Sequence, residues 1–281
     1  MAFFSSRIVK TLAAAVMVVA LPVTGAFAAG DSKPPRMQDW SFAGIFGTYD
    51  TAQLQRGFQV YAENCSACHA LSRIAFRNLM EPGGPEFSEA EVRAIAEAYF
   101  VMDGPDSFGE MFERTARLSD RFPPPFANRE AATSALGAYP PDFSLLAKAR
   151  APTRGFPGFV IDIFTGYAEN GPDYIYSLLT GYAEPENPDD VPIGLNYNPY
   201  FIAGEYIAMA NPLFDGMHLY QDGSAETADQ YARDVSAFMM WAAEPHLNAR
   251  KEMGFRVLAF LVLFGGLVYM TKRKVWSNVA H

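Results

Sequence analysis

The chain of 281 residues has little cysteine, little histidine and no excess of positive charge. Two cysteines are too few for a small domain that is held together by several disulfides. A formal net charge of −9 argues against nucleic acid as the main partner, because phosphate binding needs clustered lysine and arginine. Apolar residues nevertheless make up 50% of the chain, which excludes disorder throughout and indicates a folded protein.

The first 28 residues have the three parts of a secretory signal. Arg7 and Lys10 form a basic region, residues 11–21 are largely apolar, and Ala-Phe-Ala at 26–28 offers small residues to a signal peptidase. The competing interpretation is a short buried helix. The pattern predicts a bacterial signal peptide, residues 1–28, that is cleaved after Ala28.

Near the other end, residues 257–270 contain no charged side chain, and Lys-Arg-Lys follows at 272–274. A stretch of this length can cross a bilayer if Arg256 reaches the interface, although a buried core helix is the alternative. A basic cluster after a span favours the cytoplasmic side. We therefore predict a membrane-anchor helix over residues 246–275, a cytoplasmic tail over 276–281 and an exported domain over 29–245.

Both cysteines lie in one pentapeptide, Cys-Ser-Ala-Cys-His at 65–69. This spacing is typical of covalent haem c attachment, because two intervening residues let both sulfurs reach the vinyl groups of one porphyrin. Cys65 and Cys68 would form the thioethers, and His69 would be an axial iron ligand. The alternatives are a thioredoxin-like dithiol, for which no βαβ pattern is found, and a zinc site that lacks further ligands.

The second axial ligand is not evident from the motif. His218 is the best candidate if a second histidine binds, whereas a methionine would raise the reduction potential. The methionines that fall in predicted loops are Met80, Met102, Met111, Met209 and Met217. Met209 has small neighbours that let a backbone approach a porphyrin, but methionine is more often a core filler than a ligand.

Helical signals dominate the rest of the sequence. Helix N-caps are predicted at Asp50, Ser88 (a capping box with Glu91), Asn128, Asp142 and Thr227 (a box with Gln230). Long connections rich in proline and glycine are predicted over 104–128, 151–158 and 183–216. The fold class is therefore mostly α, a cytochrome c-like helical haem domain with long loops, one haem and one C-terminal transmembrane helix.

Several short sequence motifs give a more specific indication of the protein family. They are Arg-Gly-Phe-Gln-Val-Tyr at 56–61, Asp-Gly-Pro at 103–105, Gly-Glu-Met-Phe at 109–112, YIYSLLTGY at 174–182, Ile-Ala-Met-Ala at 207–210 and Trp-Ala-Ala-Glu-Pro at 241–245. In this order and spacing the sequence resembles the cytochrome c1 family, the haem subunits of the ubiquinol–cytochrome c oxidoreductase (cytochrome bc1) complex. The resemblance covers residues 46–276.

The resemblance implies thioethers at Cys65 and Cys68, with His69 and Met209 as axial ligands. It implies that Arg150 lies near a haem propionate, where its guanidinium would make charge-assisted hydrogen bonds. Tyr174 and the prolines at 140–141 would line the pocket. Residues 153–170 look like an apolar insertion relative to mitochondrial members, which we expect to pack against the body.

The resemblance also implies a function and its partners. The chain would be an electron-transfer subunit that accepts electrons from the Rieske iron–sulfur protein and passes them to cytochrome c, within a dimeric complex that contains cytochrome b. The complex is then the enzyme, and this chain supplies no catalytic acid or base. The location would be the bacterial inner membrane, single-pass, with the haem domain in the periplasm.

Two other functions remain open from the sequence. One is a free-standing membrane-anchored cytochrome c that donates to a terminal oxidase, and the other is an exported thiol–disulfide protein with free cysteines. Acidic residues that could dock a basic acceptor form two clusters: Glu81, Glu86, Glu89 and Glu91, and Glu184, Glu186, Asp189 and Asp190.

Overall fold

The computed structural model describes residues 32–152, 155–165 and 170–278; the predicted signal peptide lies outside them. Within these ranges the chain is mostly helical and ends in a long apolar helix, which confirms the predicted fold class. The α-helices are α1 Thr51–Val60, α2 Glu89–Glu97, α3 Arg129–Leu136, α4 Leu146–Ala149, α5 Gly155–Thr165, α6 Asn170–Leu179, α7 Ala228–Ala243 and α8 Leu247–Val275. A π-helical turn, Tyr61–Cys65, follows α1 directly, and 3-10 turns occur at Phe76–Met80, Phe143–Leu145, Pro188–Asp190 and Trp276–Asn278.

Two antiparallel hairpins interrupt the segments that were predicted as long loops. Strand β1, Phe100–Asp103, pairs with β2, Phe112–Thr115, and β3, Asn196–Tyr197, pairs with β4, Tyr206–Ile207. The connections 104–128 and 183–216 are therefore not irregular throughout. Strands of two to four residues are too short to show a period of two in the sequence, and they were missed for that reason.

Helix α7 forms the centre of the domain. Its buried side chains occur on every face, and the largest are Tyr231, Phe238, Met239, Met240 and Trp241. Helices α1, α4 and α6 pack against it. A helix that is buried all round must be enclosed by other elements, and here the enclosing helix α1 leads straight into the cysteine motif. The core thus connects to the motif through one continuous helix.

Helix α1 approaches α7 at Gly57, where no side chain separates the two backbones. A methyl group at Gly57 would lie 2.1 Å from the carbonyl oxygen of Asp234. At the next residue, the ring of Phe58 packs edge-on against that of Phe238, with 5.7 Å between centroids. Beside this crossing, Arg56 Nε donates to the fully buried carboxylate of Asp234 at 2.9 Å. Glycine and an ion pair therefore set the distance and register of the two helices.

The predicted N-caps mostly form as expected. Asp50 and Asn128 each accept a hydrogen bond from the backbone three residues on, and Ser88 forms the full capping box with Glu91. Thr227 caps α7, but the side chain of Gln230 does not complete the box. Its amide instead donates to Asp234 at 2.9 Å, because this buried carboxylate has acceptor positions that Arg56 leaves open.

The last helix leaves the domain after its first turns. Leu247 is fully buried, whereas the side chains from Phe255 to Ser277 are exposed. The helix is long and apolar enough to cross a membrane. In α5, Phe156 and Ile161 are also exposed, in contrast to the expectation that these two side chains of the insertion pack against the body.

Candidate functional site

The cysteine motif lies where a helix changes its hydrogen-bonding pattern. The amide of Ser66 donates to the carbonyl of Tyr61, five residues back, which makes Tyr61–Cys65 a π-helical turn. The amides of Cys68 and His69 then both donate to the carbonyl of Cys65. Single π-helical turns are often found at functional sites. Both sulfurs and the histidine are therefore presented from one compact turn at the end of α1.

The two thiols do not have the surroundings of a redox dithiol. Cys65 and Cys68 are not joined by a disulfide, and both residues are partly buried. Burial, together with the adjacent Cys68, raises the pKa of the Cys65 thiol to about 12. A reactive thiol needs a lowered pKa, which the N-terminus of a helix provides. Cys65 ends a helical segment instead, so the geometry argues against thiol–disulfide exchange.

The His69 imidazole is oriented by its protein contacts. Its Nδ1 lies 2.8 Å from the carbonyl oxygen of Pro141, and its ring stacks on Phe143 with 4.2 Å between centroids. A carbonyl can only accept, so Nδ1 carries the proton and the lone pair is on Nε2. Burial lowers the pKa of His69, which favours the neutral ring. His69 thus has the protonation state and the orienting partner of a metal-bound histidine.

Asp142 holds the segment that contacts His69. Its Oδ1 accepts from the Ser144 amide at 2.7 Å, and its Oδ2 accepts from the amide and hydroxyl of Ser72. The next residue, Phe143, donates its amide to the carbonyl of Ala70 at 2.8 Å. Burial by itself would raise the pKa of Asp142, but the hydrogen bonds from Ser144 and Ser72 outweigh it and lower the pKa.

We expect Asp142→Ala to destabilise the fold by about 1–2 kcal/mol at neutral pH, because a cap and hydrogen bonds to a charged group are lost. The folded-state pKa is lowered, so this contribution is present above the ordinary aspartate pKa of about 3.9 and is lost as the pH falls below it. Urea unfolding of the variant and the wild type at neutral pH and at pH ~3 measures the loss of stability and its dependence on pH. The exposed Asp39→Ala is the control, and an equal loss at both pH values would contradict the argument.

The loop that contains Met209 is tied to the motif. Met209 is half-buried just after β4, and its carbonyl accepts from the Tyr182 hydroxyl at 3.0 Å and the Asn196 amide at 3.3 Å. Three residues on, the Pro212 carbonyl accepts from the side chain of Asn64 at 2.7 Å. Asn64 precedes Cys65, so this bond brings the loop to the turn that presents the cysteines.

The other candidates for a second axial ligand have different surroundings. Met80 packs against the core, and Met102 and Met111 are exposed at the first hairpin. Met217 Sδ accepts from the Phe214 amide at 3.1 Å. His218 is buried, with Nδ1 2.6 Å from a Glu63 carboxylate oxygen and its ring against Tyr231. The Glu63 contact ties His218 to the same Tyr61–Cys65 turn that contains Asn64, so these contacts set aside the other methionines but do not by themselves separate His218 from Met209.

Arg150 and Tyr174 lie near each other, on separate elements. Arg150 is exposed at the end of α4, and its Nη1 lies 3.4 Å from the Ala149 carbonyl. Tyr174 is buried in α6, where its hydroxyl accepts from the Ile202 amide at 3.4 Å. Burial raises the pKa of Tyr174, and the charge of Arg150 opposes that shift. The propionate contact of Arg150 and the pocket-lining role of Tyr174 stay predictions.

The two acidic clusters differ in how their carboxylates are used. In the first, Glu91 completes a capping box, Glu89 pairs with Arg93, Glu86 accepts from the Gly83 amide and Glu81 accepts from Asn78. The second cluster is exposed around the Pro188–Asp190 turn. The first cluster therefore has a local structural role, and the second presents its charge to solvent.

Comparison with known proteins agrees with the motif. The Cytochrome C1 family model matches residues 40–279. Cytochrome c1 of Blastochloris viridis is 47% identical over 275 residues, which cover 97% of this chain and 96% of that protein. The mitochondrial cytochrome c1 haem protein of Schizosaccharomyces pombe is 43% identical over 242 residues, which cover 86% and 72%.

A longer relative matches as well. Cytochrome b/c1 of Bradyrhizobium diazoefficiens is 52% identical over 252 residues, which cover 89% of this chain but only 36% of that protein. The present chain thus spans about a third of that relative's length and most of the length of the other two. With the match extending over nearly all described residues, the chain belongs to the cytochrome c1 family, whose members bind haem covalently.

Proposed function

We propose that this chain holds one haem c through thioethers at Cys65 and Cys68, with His69 and Met209 as axial iron ligands. The observation that carries the proposal is the His69–Pro141 hydrogen bond, which leaves Nε2 as the only imidazole nitrogen with a free lone pair. The family resemblance selects Met209 as the opposite ligand, and the Asn64–Pro212 bond is in accord with it because it brings that loop to the turn that presents the cysteines. Histidine and thioether donors suit a haem iron in an electron carrier.

When bound, haem supplies one-electron redox chemistry, and the protein supplies ligation, burial and orientation. Phe143 and Pro141 fix the plane of the His69 ring, and Tyr61 donates to the His69 carbonyl at 3.2 Å. The orientation of His69 is therefore set by the protein itself. No acid, base or nucleophile is needed for this role.

The proposed electron path runs from the Rieske iron–sulfur protein to this haem and then to cytochrome c, in a dimeric bc1 complex with cytochrome b. A Candida albicans relative of 42% identity is named a cytochrome b-c1 complex catalytic subunit, which supports membership of such a complex. The complex as a whole would then be the oxidoreductase.

We also propose the topology that the sequence predicts. Residues 29–245 would form the haem domain in the periplasm, residues 246–275 the anchor in the bacterial inner membrane, and residues 276–281 a cytoplasmic tail. The basic residues 272–274 at the end of α8 support this orientation. Residues 1–28 and 253–281 together contain six basic residues and no acidic one, so the part of the chain between them is more acidic than the net charge of −9 indicates. The exposed acidic cluster at 184–190 is the better docking surface for a basic cytochrome c.

The test is a haem stain on a denaturing gel with a pyridine haemochrome spectrum, after expression in a host that attaches haem c. We expect a haem-positive band with a c-type spectrum and one haem per chain. The variant Cys65→Ala/Cys68→Ala should lose the stain completely, because non-covalent haem dissociates on denaturation. A haem-free wild-type band would favour a thiol–disulfide protein instead.

Membership of a complex needs a second measurement. Purification of the tagged full-length chain from its native membranes should recover a cytochrome b and an iron–sulfur protein in equal amounts. Recovery of a haem-loaded chain without either protein would favour a free-standing anchored cytochrome c.

A further inference from the structure

The loop before Tyr49 exposes two large apolar side chains. Its ends are joined by a hydrogen bond from the Thr48 amide to the Ser41 carbonyl at 3.1 Å. Between them, Ile45 is 59% exposed and Phe46 is 79% exposed. We call residues 41–48 the apolar loop. Adjacent exposed apolar side chains on a closed loop indicate contact with something other than water.

The apolar loop is fixed to the start of helix α8. Lys251 Nζ donates to the carbonyls of Phe42 at 2.5 Å and Gly47 at 3.1 Å. Just beyond the loop, the Tyr49 amide donates to Asn248 Oδ1 at 3.1 Å. These three hydrogen bonds join both ends of the apolar loop to the first turns of α8. The loop therefore cannot move independently of the helix.

The tip of the loop lies beside the point where α8 emerges from the domain. The ring of Phe46 contacts that of Phe255, with 6.2 Å between centroids in an edge-on arrangement. From Phe255 onwards the α8 side chains are exposed. At 1.5 Å per residue, Met253 to Met270 spans about 26 Å, close to the hydrocarbon thickness of a bilayer, and the basic residues 272–274 then lie at the far interface. The bilayer surface is thus expected near Phe255, and Phe46 is level with it.

We propose that the apolar loop is a second membrane contact, in which Ile45 and Phe46 enter the lipid interface beside the anchor. The inference rests on the proposed anchoring of α8. Lipid is the favoured occupant because the loop continues the apolar surface of the span without a gap at Phe46–Phe255. Lys251 binds two of the loop's carbonyls, which lowers the cost of bringing its backbone towards lipid. A helix plus a loop defines the tilt of the haem domain, which one helix alone leaves free.

The test uses site-directed spin labels in the full-length haem-loaded chain, reconstituted in vesicles of phosphatidylcholine and phosphatidylglycerol. Thioether formation would consume both native cysteines, so Phe46→Cys supplies a single free thiol. Two controls are Phe108→Cys, which replaces another exposed phenylalanine in the first hairpin, and Leu263→Cys in the middle of α8. Power saturation compares accessibility to oxygen, which concentrates in lipid, with accessibility to a water-soluble nickel chelate.

We expect the oxygen-to-nickel ratio at position 46 to be at least threefold higher than at position 108 and lower than at position 263. A ratio at 46 equal to that at 108, with a lipid signal at 263, would overturn the loop contact but leave the anchor intact. Poor access of both reagents to position 46 would indicate a protein cover and would also overturn it. An aqueous signal at 263 would refute the anchor itself, and labelling of the unsubstituted chain would show that the thioethers are absent.

Discussion

Met209→Leu is expected to lower the midpoint potential of the haem by on the order of 100 mV, the direction that follows when a methionine ligand is lost. A thioether sulfur stabilises ferrous over ferric iron, and leucine offers no donor atom. The two side chains have similar volume, so the loop should keep its packing at a cost below about 1.5 kcal/mol. The bonds to the Met209 carbonyl are unaffected, because they involve the backbone.

A spectroelectrochemical titration of the purified haem protein measures this shift, and loss of the sulfur-to-iron charge-transfer band identifies its cause. Met102→Leu is the matched control, because it makes the same substitution at an exposed methionine on β1, away from the loop that contains Met209. Its potential should equal that of the wild type. If Met209→Leu leaves the potential unchanged, a different residue is the sixth ligand, and His218 is then the first to replace.

Features that depend on neighbouring residues could be read from the sequence. The N-caps at Asp50, Ser88 and Asn128 form as predicted, because each needs only its own side chain and an amide three residues on. The break before α8 falls at Pro245, as the sequence indicates. The cysteine motif could be recognised for the same reason, because the spacing of its two cysteines is enough to place both sulfurs on one turn.

Features that depend on distant residues could not be read in this way. The bond from Asn64 to the Pro212 carbonyl joins residues 148 apart, and no local pattern distinguishes Met209 from the other loop methionines. The same holds for Pro141, which reaches His69 across 72 residues. Only the family resemblance selected Met209. The motifs of a family reflect which distant residues meet in its fold, whereas hydrophobic periodicity and helix caps report only on neighbouring residues.

The burial of polar groups inside the core also could not be predicted from the sequence. Asp234 lies on α7 among apolar side chains, and nothing local indicates that it is fully buried. Its partner Arg56 is on α1, 178 residues away, where it also pairs with Asp222 at 2.6 Å. Burial would lower the pKa of Arg56, but hydrogen bonds and charge from the two aspartates raise it. An amphipathic pattern predicts which face is buried, but not where a charge is buried with its partner.

Gly57→Ala is expected to destabilise the folded chain by about 3 kcal/mol and to reduce the yield of haem-loaded protein. The new methyl would lie 2.1 Å from the Asp234 carbonyl oxygen and 2.7 Å from Phe238 Cβ. Neither can move aside, because one is backbone and the other belongs to the fully buried centre of α7. Helix α1 must then shift away from α7, and the Arg56–Asp234 pair shifts with it.

Thermal and denaturant unfolding of the haem-loaded protein measure the loss, and haem per chain measures the effect on attachment. Gly254→Ala is the control, because a methyl there meets no atom within 4 Å and alanine favours helix. The two variants make the same chemical change in two helices, so their difference isolates the close approach of α1 to α7. Because α1 continues into the turn that presents Cys65, a shift of α1 away from α7 would also displace the cysteine motif. Equal stability of both variants would mean that the two helices can separate without disturbing the core.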